Sequence, residues 1–167
     1  MSDEPEWMPR THPGLPDWPA AADAPIRRFA STTLIGRGPA TWDRASHDVL
    51  RWVVKTRSGF TVDDAGPVTP GARLTITARV AGLVIREPVE VVDVVAFPER
   101  VGFAYRTLPG HPVTGEEAFI VHRDGDAVLL TMRSLTAPAP QQPWRALHPL
   151  LRVAQSVVRR RYRRALR

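Results

Sequence analysis

GFAYRTLPGHPVTGEEAF, residues 102–119, reads as two strand halves folded about a turn. Phe103, Tyr105 and Thr107 fall at the period-two spacing of one strand face. Leu108–Gly115 carries the turn chemistry, with Pro109, Gly110 and Pro112 around His111. Phe119 then falls on the neighbouring strand.

The same period continues on both sides. Upstream, Leu74, Ile76, Ala78 and Val80 alternate with Thr and Arg, and Ala81-Gly82 is a turn candidate. Val89, Val91, Asp93 and Val95 oppose Glu90, Val92 and Val94, so apolar residues occupy both faces. Pro98-Glu99-Arg100 turns the chain into the quoted stretch. Downstream, Asp124-Gly125 is a hairpin signal between EEAFIVHR and DAVLLTMRSL. Successive strands of this kind predict an antiparallel meander.

Ile26–Ile35 reads as a first strand, Gly36-Arg37-Gly38 as a turn, and residues 39–54 as a helix. Trp42, Ala45, Val49, Trp52 and Val53 share one face of that helix. Thr136–Pro143 reads as a linker, followed by a last helix starting near Pro149, where proline suits a first turn. Leu147, Leu151, Ala154, Val158, Tyr162 and Ala165 fall in one narrow arc. Arg152, Arg159, Arg160, Arg163, Arg164 and Arg167 take the other side. The order strand, helix, strands, long helix predicts an α+β helix-grip (START-like) fold. In it an antiparallel sheet curls around the C-terminal helix and can leave a cavity between them. Residues 26–167 form this single domain. Residues 1–25, with six prolines, form an extended arm that Trp7 and Trp18 can pin to the body.

The chain has 167 residues and no cysteine, which excludes disulfides, thiolate nucleophiles and Cys-ligated zinc. From Trp144 to Arg167 there are eight arginines and no acid, leaving 15 basic against 17 acidic side chains in the rest. Lys55 is the only lysine beside 22 arginines, a bias that fits GC-rich coding. No apolar run approaches the roughly 18 residues of a membrane span. The acidic, proline-broken N-terminus is unlike a secretory signal, so a cytoplasmic protein is expected.

The pattern G-F-x-Y-x-T-L-P-G-H-P-x-x-G-E-E-x-F resembles the signature of a family of small bacterial and plant proteins, the domain of unknown function DUF1990. Ile35-Gly36-Arg37-Gly38, Pro70-Gly71 and Gln155 also fit, and the resemblance spans roughly Phe29 to Tyr162. It implies a fold similar to START and polyketide-cyclase-like proteins. Two positions depart from the pattern. Arg106 stands where the family usually has Gly, and Ala118 where it usually has Arg. With the hairpin centred near His111–Pro112, position 106 is expected opposite 118, as if the guanidinium had crossed the ladder.

Several residues could carry chemistry. His111 exchanges protons near its ordinary pKa of about 6.5, or simply hydrogen-bonds its own loop. Glu116 and Glu117 point to opposite faces, so they are not a glycosidase-type pair. One faces the interior and needs a partner, for which Arg106, Arg37 and Tyr105 are candidates; the other faces water. Phe103, Tyr105, Thr107 and Phe119 are core, or line a cavity with the Tyr105 hydroxyl as its polar handle. Arg37 between two glycines at a helix start is either a turn or an anion site. No metal or cofactor is expected, since Glu116 and His122 lie about 20 Å apart along a strand.

The leading expectation is a small apolar or amphipathic ligand between sheet and last helix, touched by Phe103, Tyr105, Arg106, Thr107, His111, Glu116, Glu117, Phe119 and Arg37. One alternative is an acid–base lyase or cyclase using His111, Tyr105 and one of Glu116 and Glu117. Another is a peripheral module that binds an anionic surface or acidic partner through Arg159, Arg160, Arg163 and Arg164. With no aromatics interleaved with the arginines on their exposed face, sequence-specific nucleic-acid binding is not suggested.

Overall fold

A computed structural model describes residues 10–20, 26–80 and 82–167. Trp7 and Ala81 lie outside the described residues. The elements run β1 (Arg27–Arg37), α1 (Gly38–Val49), α2 (Val53–Thr56), β2 (Phe60–Val62), β3 (Arg73–Val80), β4 (Leu83–Phe97), β5 (Arg100–Thr107), β6 (Val113–Asp124), β7 (Ala127–Pro138) and α3 (Trp144–Ala165). The strands form one antiparallel sheet in the order β1-β7-β6-β5-β4-β3-β2. All three helices cover its concave face. The fold is the expected α+β helix grip.

The apolar residues on both faces of β4 have a local cause. Val91 pairs with Tyr105 but Asp93 pairs with Ala104, so a bulge at Val92 swaps the faces of everything after it. Val89 and Val91 enter the core before the bulge, whereas Asp93 and Val95 turn to the convex side beyond it. At Gly115 a side chain is impossible, because a Cβ would overlap the Leu135 carbonyl oxygen on β7.

The predicted helix over 39–54 is two helices. It breaks at Trp52, which adopts φ 61° and begins α2. Such a conformation costs an L-residue about 1–2 kcal/mol. The indole is 1% exposed and packs edge-on against Phe103 at 4.8 Å. Burying an aromatic of about 150–250 Å² contributes roughly 4–6 kcal/mol, which outweighs the strain. An unbroken helix would carry residue 55 about 120° away from Val49 and off the buried face. The break instead leaves Lys55 only 3% exposed.

α3 starts at Trp144, earlier than Pro149 suggested. The Arg145 and Leu147 amides bond the Gln141 and Pro143 carbonyls, and the Gln142 side chain accepts from the Ala146 amide. Its last carbonyls accept from Arg57 (Ala165 O, 3.1 Å) and Arg44 (Leu166 O, 3.4 Å), cations well placed at a helix C-terminus. The predicted apolar arc is only half realised. Tyr162 and Ala165 are buried, Leu151 and Val158 half-buried, and Leu147 and Ala154 exposed. Among the described residues no helix is long and apolar enough to cross a membrane.

Residues 10–20 lie across the convex face. Prolines leave this segment short of donors, so its free carbonyls meet arginine forks. Arg133 donates to the carbonyls of Thr11, His12, Leu15 and Pro16 at 2.6–3.1 Å, and Arg100 to those of Pro13 and Leu15 at 2.6 and 2.8 Å. Trp18 stacks on Arg28 at 3.5 Å.

Candidate functional site

Between the sheet and α3 lies a cavity of about 140 Å³. Its apolar walls come from Phe60, Ala78, Val80, Ile85, Leu151 and Val158. Val80 and Ala154 line it and are also exposed, so it opens between the β3–β4 hairpin and the N-terminal half of α3.

Its closed end is polar and centres on Lys55, which the break at Trp52 delivers there. The ammonium donates to Glu117 Oε2 at 2.9 Å and to the Tyr162 hydroxyl at 2.6 Å. The rings of Phe60, Tyr105, Phe119 and Tyr162 surround it at 4.8–5.4 Å. These negative ring faces offset part of its desolvation. The Tyr105 hydroxyl donates to the same Glu117 oxygen. Burial pushes the Glu117 carboxyl up, but Lys55 and the hydrogen bonds from Tyr105 and Lys55 outweigh it and hold it below the usual range. Burial, then the Glu117 charge, raises both tyrosines, which stay protonated.

Glu87, on β4, completes the cluster. Burial lifts its carboxyl to about 7 against the pull of Lys55. His111 Nε2 lies 3.9 Å from Glu87 Oε2, while Nδ1 accepts from the Val113 amide at 3.0 Å. Burial, then Lys55, lowers His111 to about 4. The imidazole is therefore neutral at pH 7 and does not form an ion pair with Glu87. Its loop bond and its place on the cavity wall coexist.

The motif residues separate by face. Tyr105, Thr107, His111 and Glu117 line the cavity. Phe103 and Phe119 lie deeper in the core, against Trp52 and Tyr162, because α1 and α2 cover that half of the sheet. Glu116 borders the cavity, but its carboxylate turns to the convex face. There it is 2% exposed and accepts from the Arg10 and Thr11 amides and the Thr11 hydroxyl, so the outward glutamate does not face water.

Two arginines are corrected. Arg106 pairs with Glu116, and Ala118 with Ala104, because the hairpin is centred on His111. Positions 106 and 118 are thus diagonal, not opposite, and the crossed-ladder idea fails. The Arg106 guanidinium instead bonds Glu90 at 2.9 Å, outside the cavity. Arg37 stands at the far end of β1, ten residues or roughly 33 Å from Arg27, which faces Thr136 on the cavity wall. Neither Arg106 nor Arg37 partners Glu117.

The structure also corrects Arg159, assigned from the sequence to the solvent side of α3. It is half-buried on the cavity wall, stacked 3.8 Å over Phe29 and donating to Ser134 Oγ at 3.0 Å. Arg160, Arg163 and Arg164 are exposed. Sequence reasoning overlooked Lys55, Glu87 and Tyr162 as site residues. Each had a signal: a sole lysine among arginines, an acid in step with Ile85, Val89 and Val91, and a phenol on the apolar arc of α3.

A family profile described as "Domain of unknown function (DUF1990)" matches residues 18–165. A UPF0548 protein of Deinococcus radiodurans is 31% identical over 169 residues, covering 91% of this chain and 75% of that protein. Among solved structures, the Zhui aromatase/cyclase of Streptomyces sp. R1128 superposes with a TM-score of 0.57 at 15% identity, over 84% of this chain and 92% of that one. A START superfamily protein from Mycobacterium smegmatis gives 0.51 at 11% identity, over 81% and 94%. At such identities these two show a shared START-like fold and nothing of the chemistry.

Proposed function

We propose that this chain, which belongs to the DUF1990 family, binds a small apolar or amphipathic ligand in the cavity between sheet and α3. The observation that carries this reading is an apolar-walled space of about 140 Å³ that ends in converging polar groups. An apolar ligand body would cover these walls more favourably than water does. Phe60, Ala78, Ile85 and Val158 hold the ligand body. Tyr105, Thr107, His111, Glu117, Lys55 and Glu87 form the cavity's polar floor, and Ser134 and Arg159 add polar groups to its wall. Phe103 and Phe119 back the wall without touching the ligand.

Native mass spectrometry of the purified protein, followed by Ala154→Phe to block the opening, tests this. The expected outcome is a co-purified small molecule that the substitution removes while the fold stays intact. Undiminished uptake by the blocked variant would overturn the reading.

Acid–base chemistry in the same cavity, as a lyase or cyclase, is a second reading. It is supported by Glu87, whose carboxyl near 7 can both take and give a proton at neutral pH. Failure of the protein to promote deuterium uptake from solvent into any bound ketone probe would retire it. A third reading, contact with an anionic surface, is supported by exposed Leu150, Val153 and Val157 on the helix that also exposes Arg160, Arg163 and Arg164. Absence of sedimentation with anionic vesicles would exclude it.

A further inference from the structure

Among the described residues, the charges on the cavity wall do not balance. Lys55 and Arg159 both line it, against one carboxylate that is ionised and turned inward, Glu117. Glu116 borders the space, but its carboxylate is bound by Arg10 and Thr11 on the other side of the sheet. Glu87, titrating at about 7, adds at most part of a charge, and His111 adds none. Lys55 is matched by Glu117 at 2.9 Å. Arg159 uses one N–H on Ser134, and among the described residues no carboxylate lies within ion-pair reach of it.

Its neighbours make the excess worse. Arg27 lies on the same face of β1 as Phe29, two residues along, and Arg163 follows Arg159 by one turn of α3. Burial depresses the Arg159 guanidinium most, the Glu117 charge pulls it back, and Arg27 and then Arg163 push it down again. Arg27 and Arg163 thus add positive charge near Arg159 where β1, β7 and α3 meet, and among the described residues none of the three forms an ion pair.

We propose that the cavity ligand is an amphipathic monocarboxylate whose carboxylate lies in the fork of Arg159 beside Ser134, with its apolar body among Phe60, Ala78, Ile85 and Val158. A guanidinium fork matches a carboxylate bidentately. A carboxylate supplies the counter-charge that Arg159 lacks among the described residues, whereas an alcohol supplies none and an ammonium would add a further positive charge. Deletion of a charge-assisted bond of this kind typically loses a tenfold or greater share of affinity.

The inference rests on the cavity-binding reading, and three probes with one body separate the two. Isothermal titration with 3-phenylpropionate, 3-phenylpropanol and 3-phenylpropylamine at pH 7.5 is expected to rank them in that order. The acid should bind about tenfold tighter than the alcohol. Arg159→Met should bring the acid down to the alcohol's affinity and leave the alcohol within about twofold, since that substitution retains an apolar stem of similar length. If alcohol and acid bind the native protein equally, or the amine binds best, the carboxylate assignment falls while the cavity reading stands. A preference for the acid that survives Arg159→Met removes Arg159 from the assignment. If none of the three binds at millimolar concentration, both fall. The native-protein series decides the matter even where the variant is unstable.

Discussion

Glu116 and Glu117 are adjacent in the chain and live on opposite faces of the sheet. Both are held largely out of bulk water, but by different means. On the convex face Glu116 meets the amides of a strap that carries few other donors, and arginines 100 and 133 hold the strap's carbonyls. There the carboxylate is matched mainly by backbone amides, with the Thr11 hydroxyl beside them. On the concave face Glu117 is matched by side chains, Lys55 and Tyr105, around a space that is not filled. Backbone partners fix one position of a loop. Side-chain partners can rearrange when a ligand arrives. The difference teaches that burial of a carboxylate does not by itself mark a site; an adjoining void does.

The sharpest way to break this comparison is Glu117→Gln. It leaves the Lys55 ammonium buried without its counter-charge and should cost about 3–5 kcal/mol in denaturant unfolding. Lys55→Met with Glu117→Leu should recover most of that. If the double variant is as unstable as the single one, the pair is not what holds the concave cluster.

Next in size is a pH effect carried by the concave face. The Glu87 pKa is raised on folding, so its favourable contribution is complete below about 4.5 and is lost as pH climbs through about 7. The His111 pKa is depressed, so its contribution is present above about 6.5 and is lost as pH falls through about 4. Over pH 4.5–6.5 the two slopes oppose and nearly cancel in the native protein. Glu87→Gln should unmask stability that rises with pH, and His111→Gln stability that falls, each by about 3 kcal/mol at most. Parallel profiles for the two variants would contradict the assignment.

Glu116→Gln should cost less, about 1–3 kcal/mol, and act locally. Hydrogen exchange is expected to quicken at the Arg10 and Thr11 amides while the core stays protected. A loss equal to that of Glu117→Gln would erase the contrast between the faces. Smallest is Trp18→Ala, which removes the stacking on Arg28 and should cost about 0.5–1 kcal/mol, read by the same exchange at strap amides.

Much of the architecture was legible. Period-two runs located the strands, Asp124-Gly125 the β6–β7 turn, and the terminal apolar arc the gripping helix. The register of the motif hairpin was not, since moving its centre by one residue decides whether Arg106 faces position 116 or 118. The break at Trp52 was hidden too. Nothing local favours a left-handed tryptophan, and the energy that holds it there comes from Phe103 on a distant strand. Lys55 therefore looked like one more polar residue at a helix end. Proline content disclosed an extended leading segment but not its landing place. Arg100 and Arg133 come from different strands, and only the folded sheet brings them side by side.

The lone lysine at the bottom of the cavity has a practical meaning. Apart from the α-amino group at its start, the chain has a single primary amine, and that amine sits within reach of whatever fills the void. Isotope-labelled lysine would therefore yield one side-chain resonance, a built-in reporter of occupancy that requires no engineered tag.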